Sequence, residues 1–387
     1  MMRGPACLMA MLAVAAATQV AAASERFVPT DPAFVVANVR QAMPDENLRT
    51  LLDAWRKDPG SDEAVTALAS AFIEHARDAR EPMYFGRAEA VLAARARKAG
   101  AGAKLRRLYA EVLQYRHDFA GAESLLDPII SAAPRDEDAR LLRASVRLVR
   151  GNFSGARSDC AQLAVSGGEA ASLGFACLAE ALAGSGQIER AQAVLASAGE
   201  GASDPSARAY LLVTRAELHE RSGDPDHAIA EYRAALTLAP KDDSIRAALA
   251  DALAAHGLAA EARAVLAVDK PSLALLVRST ALAQGAERAD LAARSRAWLE
   301  LEAARGDSVH NREAAMLALT NKDAGMALQA ARRNFEIQRE LPDVRALARA
   351  ANAAKDAESL RVLRDWLKET GFRDSVTESI LGNASRG

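Results

Sequence analysis

Five side chains carrying oxygen donors recur at nearly even intervals along this sequence: Glu111, Ser145, Glu180, Glu217 and Asp251, each directly after an alanine. All but Ser145 are acids. Acids repeated on one face attract a cationic or neutral segment of another chain and repel a terminal carboxylate. The competing reading makes them solvated helix residues, paired with Arg107, Arg143 or Arg221 and contributing little. Cysteine is the second chemically distinctive residue. Of the 3 present, Cys7 sits in an apolar leader, which leaves Cys160 and Cys177. On adjoining helices in an oxidising compartment these two would form a disulfide, closing a loop of about 17 residues worth about 3 kcal/mol. With their β-carbons pointing apart they would be small buried hydrophobes.

The histidines, His75, His117, His219, His227, His256 and His310, are scattered, with no H-x-x-x-H pair and no cysteine at zinc spacing. No metal site is expected from them; His117, His219 and His227 read as turn or helix-face residues. The run Gly100 to Lys104 lacks the spacing of a phosphate-binding loop and falls between helices rather than after a strand, so it reads as a flexible joint. No nucleophile stands out beside a base. The sequence therefore predicts no catalytic residue, no cofactor and no enzymatic activity.

The elements that position these residues must be helices. Half of the 387 residues are apolar but only 4% are aromatic, so Ala and Leu carry the packing, which favours close helix pairs over sheets. Met1 and Met2 precede Arg3, an apolar run from Ala6 to Ala17 and the small residues Ala21, Ala22 and Ala23, the pattern of a secretory signal removed after residue 23. Cys7 stands too early in that run for a lipoprotein cleavage site. No later stretch reaches the roughly 18 apolar residues of a membrane span, so no stable membrane anchor is expected. Loss of Arg3 with the leader leaves 48 basic against 51 acidic residues, a near balance that argues against nucleic acid as a partner. Arginine outnumbers lysine 41 to 8, which together with the abundant alanine resembles proteins of GC-rich bacteria and makes the periplasm the expected compartment.

Repetition sets the architecture. Ala88, Ala122, Ala156, Ala191, Ala228, Ala262, Ala293 and Ala327 follow one another at steps of 34, 34, 35, 37, 34, 31 and 34. A period near 34 marks a helix-turn-helix unit whose apolar face only a stacked neighbour can cover. The clearest unit, residues 209–242, has Ala216 and Ala228 where two helices touch, an apolar stripe of Leu212, Tyr232, Ala235 and Leu236, a turn at Gly223-Asp224 and a terminating Pro240. Residues 103–136, 137–170 and 243–271 repeat this grammar, with His117 where glycine is expected. The unit from 172 is weaker and ends in the loop 199–205, and the pattern thins over 62–98 and 272–371. This spacing predicts Cys160 on the second helix of one hairpin and Cys177 on the first helix of the next.

Unit 209–242 resembles the tetratricopeptide consensus, departing from it at Arg215, where the family has an aliphatic residue. The resemblance implies an all-α fold, a right-handed superhelical solenoid of stacked antiparallel hairpins. Its expected plan is a signal at 1–23, an N-terminal segment and capping helix over 24–61, the array at 62–371 and a C-terminal cap at 372–387, where Ser375 and Glu378 form a capping box. In this family the residue after the small site of the first helix faces a concave groove. That places Glu111, Ser145, Glu180, Glu217 and Asp251 in the groove and implies a protein or peptide partner, with a basic segment fitting best. The expected function is a periplasmic scaffold in envelope assembly or secretion. The alternatives are a holdase, for which Leu141, Leu148 and Val149 offer one apolar patch, and an enzyme with an acidic groove site. Trp55, Trp298 and Trp366 are expected to be packing residues.

Overall fold

The computed structural model describes residues 46–79, 81–198, 204–305 and 310–384. The leader, the Phe27 to Asn38 segment and most of the loop after residue 198 lie outside these. The chain divides into two units, Met1–Glu46 and Asn47–Gly387. The first lies almost wholly outside the described residues, and the helical hairpins all belong to the second.

A single helix, α1 (Glu46–Lys57), precedes the hairpins. These are α2 (Asp62–Asp78) with α3 (Met83–Ala96), α4 (Ala103–Tyr115) with α5 (Phe119–Ala132), α6 (Glu137–Val149) with α7 (Phe153–Ala164), and α8 (Gly168–Gly184) with α9 (Ile188–Ser197). Next come α10 (Pro205–Ser222) with α11 (Pro225–Leu238), α12 (Asp243–Ala255) with α13 (Ala259–Leu266), and α14 (Leu273–Leu282) with α15 (Gly285–Arg305). The series ends with α16 (Asn311–Thr320) and α17 (Ala324–Ile337), α18 (Leu341–Ala353) and α19 (Ala357–Thr370), and the short α20 (Ser375–Ala384). No strand occurs among the described residues.

Local chemistry starts and stops these helices. Asp118, Asn152, Asp224, Asp323 and Asp356 each precede the second helix of a hairpin and accept a backbone amide of its first turn. Each such cap is worth about 1 kcal/mol. Just before the cap the chain reverses through the left-handed region, at Gly151 (φ +74°), Gly186 (φ +72°) and Gly223 (φ +78°), but also at His117 (φ +59°), Lys322 (φ +61°) and Lys355 (φ +53°). Glycine is therefore preferred there rather than required. The β-carbon of the other three residues costs about 1–2 kcal/mol each.

Seven of the eight periodic alanines, Ala88, Ala122, Ala156, Ala191, Ala228, Ala262 and Ala327, are fully buried at the helix crossings. The exception is Ala293, which is exposed. Only Ala283 and Gln284 separate α14 from α15, so this short turn delivers α15 with a different rotation, and Ala292 and Ser295 face the neighbour instead. The same rotation leaves Trp298 36% exposed, whereas Trp366 is buried as expected of a packing residue. Cys160 on α7 and Cys177 on α8 are bonded, with their Cα atoms 5.4 Å apart.

First helices pack on the next first helix except between α10 and α12, while second helices pack on the first helices flanking them, so α2, α4, α6 and their successors form an inner row. The stack does not end on a free polar surface. Residues 335–375 run back along the turns of earlier hairpins and dock there. Val149 accepts a backbone hydrogen bond from the Arg339 N–H at 2.7 Å, and Phe153 packs against Trp366 and Phe372 with ring centres 6.3 and 6.2 Å away. Further along the same edge, a β-carbon on Gly186 would overlap the carbonyl oxygen of Gly371, and Gly223 faces Ser375. One apolar core joins Ala144, Leu148 and Phe153 to Phe335, Trp366 and Leu381. The capping box at Ser375 and Glu378 is not formed. Asp374 caps α20 through the Thr377 N–H at 2.9 Å, Ser375 donates to the Glu220 carbonyl at 3.4 Å, and Glu378 pairs with Arg373. The helix starts one residue earlier than that box requires, with Asp374 as its cap and Ser375 as its first residue.

Candidate binding face

The five regularly spaced residues sit one per first helix, and four of them bridge to the adjacent first helix. Glu111 pairs with Arg77 of α2, Ser145 accepts from the Gln114 side chain of α4 at 2.9 Å, and Asp251 accepts two bonds from Arg278 of α14 at 2.9 and 2.7 Å. Glu180 accepts from the Tyr210 hydroxyl of α10 at 2.7 Å. The first three are thus committed to the stack. Their partners are not the arginines singled out by spacing: Arg107 pairs with Asp136 and Asp138, and Arg143 with Asp127 and Asp159.

Glu217 differs from its four counterparts. No hydrogen bond or ion pair reaches its carboxylate among the described residues; the charges that act on it most are Glu180, Arg221, Glu220 and Arg345. Glu180 of α8, Glu217 of α10 and Glu340, just ahead of α18 and 3.8 Å from Arg312, act on one another electrostatically, so three acids converge where the C-terminal hairpins meet the inner row. Burial raises each carboxyl to about 7, with Glu340 adding to the rise at Glu180, Glu180 to that at Glu217 and Asp343 to that at Glu340. Around them lies a braced frame. Arg345 of α18 reaches Glu220 at 3.2 Å and grips Asp374 at 2.8 Å, while Asp343 takes bonds from Asn334, Arg312 and the Glu340 amide at 2.8, 3.2 and 2.9 Å.

Sequence reasoning found Glu180 and Glu217 but missed Glu340, Tyr210 and Arg345, which come from outside the periodic position. A signal for Glu340 was present. An acid followed by Leu341-Pro342-Asp343 opens a helix with a polar residue at its fourth place, a start pattern that fixes both carboxylates. The apolar patch at Leu141, Leu148 and Val149 is not an open surface, since Leu148 is buried beneath the returning hairpins. A cleft of about 730 Å³ lies between α7 and α9 over Phe175, Leu178 and Leu182 of α8.

Residues 211–252 match the family model described as tetratricopeptide repeat. No curated protein matches the sequence significantly. Among solved structures, the fold is similar to that in the APC/C hetero-tetramer Cut9-Hcn1, at 14% identity over 89% of this chain and 67% of that chain, with a TM-score of 0.50. A thermophilic TPR protein of Thermus thermophilus is 23% identical over 51% of this chain and 99% of its own, with a TM-score of 0.39. A Rap protein complexed with competence and sporulation factor is 12% identical over 85% of this chain and 99% of its own, with a TM-score of 0.47. The chain thus carries a tetratricopeptide repeat at residues 211–252, set within a stack of helical hairpins.

Proposed function

We propose that the chain is an exported, periplasmic scaffold that holds a basic or neutral segment of a protein partner against the acids of its inner face. Protein-interaction scaffolding is the general use of stacked hairpins, because a long row of first helices offers one continuous surface to an extended segment. The observation that carries the more specific reading is Glu217: a carboxylate with no hydrogen bond or ion pair among the described residues, beside Glu180 and Glu340. Glu340 already has Arg312 at 3.8 Å and Glu180 the Tyr210 hydroxyl, which leaves Glu217 as the acid open to an added positive group. A lysine or arginine brought among them would draw off their protons and convert mutual repulsion into attraction.

Two consequences are measurable. A lysine- and arginine-rich peptide should bind more tightly at pH 8 than at pH 6, with proton release visible as a buffer-dependent heat in calorimetry. Reversal of the charge in Glu180→Lys with Glu217→Lys should abolish that binding, while a glutamate-rich control peptide binds neither protein. Equal binding of the basic peptide by wild type and the double variant at low salt, where charge acts furthest, would defeat the reading. Export is tested separately: the mature protein recovered from the periplasm should begin at Ser24, and retention of residues 1–23 would refute a cleaved signal.

A further inference from the structure

His219 lies in the last turn of α10, Asp224 caps α11 and His227 is the third residue of α11. Along the sequence they are separate, and no helical pair links them. The reversal at Gly223 folds the end of α10 against the start of α11, and the rings of His219 and His227 stack with centres 5.1 Å apart. Asp224 divides its two oxygens between tasks. One oxygen accepts the His227 backbone amide at 3.4 Å and so caps the helix. The other faces both imidazoles, 2.8 Å from Nδ1 of His227 and 3.3 Å from Nδ1 of His219.

We propose that His219, Asp224 and His227 form a binding site for a divalent transition-metal cation of the zinc class. One ligand atom from each residue lies within 4.8 Å of the others. Metal bonds of about 2.0–2.2 Å at tetrahedral angles separate neighbouring ligand atoms by roughly 3.4 Å, close to the 3.3 Å between His219 and Asp224. The shorter approach of His227 opens when the cation displaces the proton it shares with the carboxylate. Two imidazoles and one carboxylate select zinc, nickel or copper over magnesium or calcium, which prefer oxygen ligands alone. Water completes the shell, since His227 is exposed. A second pair on this edge, His256 and Asp226 at 3.2 Å, contributes no ligand atom to the cluster and serves as an internal control. The site does not depend on the inner-face reading, but it has a structural consequence. The turn it staples is the one whose Glu220 carbonyl receives Ser375, so cation binding ties down the edge on which the C-terminal residues dock.

The test uses the full-length protein, stripped with chelator and titrated with zinc chloride by calorimetry. One equivalent per chain is expected. His219→Gln and His227→Gln should each weaken binding by at least about tenfold, and Asp224→Asn, which retains a good helix cap, should do likewise. His256→Gln should leave the affinity unchanged. Zinc should raise the thermal midpoint of the wild type where magnesium does not, and cobalt(II) should give the intense visible absorption of a tetrahedral site. Absence of zinc uptake by the wild type, or uptake unchanged in Asp224→Asn and in the double histidine variant, would overturn the assignment. Uptake lost only in His256→Gln would overturn it as well.

Discussion

At the scale of single residues, charge inside the hairpin stack is handled in two ways, by full partnering and by a shift toward neutrality. Asp159 on α7 is the first kind: almost wholly buried, it takes bonds from Arg140, Arg143 and Arg147 of α6 at 2.7 to 3.0 Å. Removing its charge strands the buried Arg140, while Arg143 and Arg147 keep Asp127 and Glu123, so Asp159→Asn should lower stability by about 3 kcal/mol in urea titration. The trio Glu180, Glu217 and Glu340 is the second kind, each carboxyl raised to about 7. The folded state holds these protons more tightly than the unfolded chain, where a carboxyl has its ordinary lower value. Stability from this source is therefore greatest below the ordinary carboxylate range and falls as pH rises toward 7. The expected outcome is a higher urea midpoint at pH 5 than at pH 8, with Glu217→Gln flattening the difference; a midpoint that climbs from pH 5 to 8 as steeply in the variant as in the wild type would contradict the assignment. Sequence spacing located two members of the trio, because both occupy one repeat position. Glu340 escaped because it joins them only through a contact between distant hairpins.

At the scale of elements, the turn inside each hairpin is where conformational cost concentrates. Lys322 and Lys355 occupy the left-handed region with exposed side chains, so Lys322→Gly and Lys355→Gly remove a β-carbon clash without loss of packing. Each should stabilise the protein by about 0.5–1 kcal/mol in urea titration, the relief at φ above zero outweighing the added freedom of glycine in the unfolded chain. The Cys160–Cys177 bond acts on the next connection, tying α7 to α8 of the following hairpin. Its reduction should cost about 3 kcal/mol, read as the difference in urea midpoint with and without a thiol reductant. The helices themselves were legible from the 34-residue pattern, since apolar periodicity and helix caps are written within a few residues of one another. The rotation of α15 was not: a two-residue turn changes which alanine faces inward, and nothing local in the Ala286 to Ala297 stretch marks one alanine over its neighbours.

At the scale of the whole array, the returning C-terminal residues turn a stack of neighbours into a structure with long-range closure. Two glycines separate the contributions. Gly257→Ala meets open space and bears only the left-handed strain, about 1 kcal/mol. Gly186→Ala bears the same strain and also drives a methyl group into the Gly371 carbonyl. It should cost clearly more in urea titration and raise amide exchange at residues 371–377, whereas Gly257→Ala leaves exchange there unchanged. What the sequence alone determined is the repeating hairpin, its caps, its turns and the one-per-hairpin placement of Glu111, Ser145, Glu180, Glu217 and Asp251, because each depends on interactions within about 40 residues, the span of one repeat and its neighbour. The tertiary structure decided the convergence of Glu340 on Glu180 and Glu217, the bond from the Ser375 hydroxyl to the Glu220 carbonyl, and the covering of Leu148 by Trp366 and its neighbours. Those contacts join residues more than 100 positions apart, and their geometry is the accumulated rotation of every intervening hairpin, a quantity no single repeat encodes.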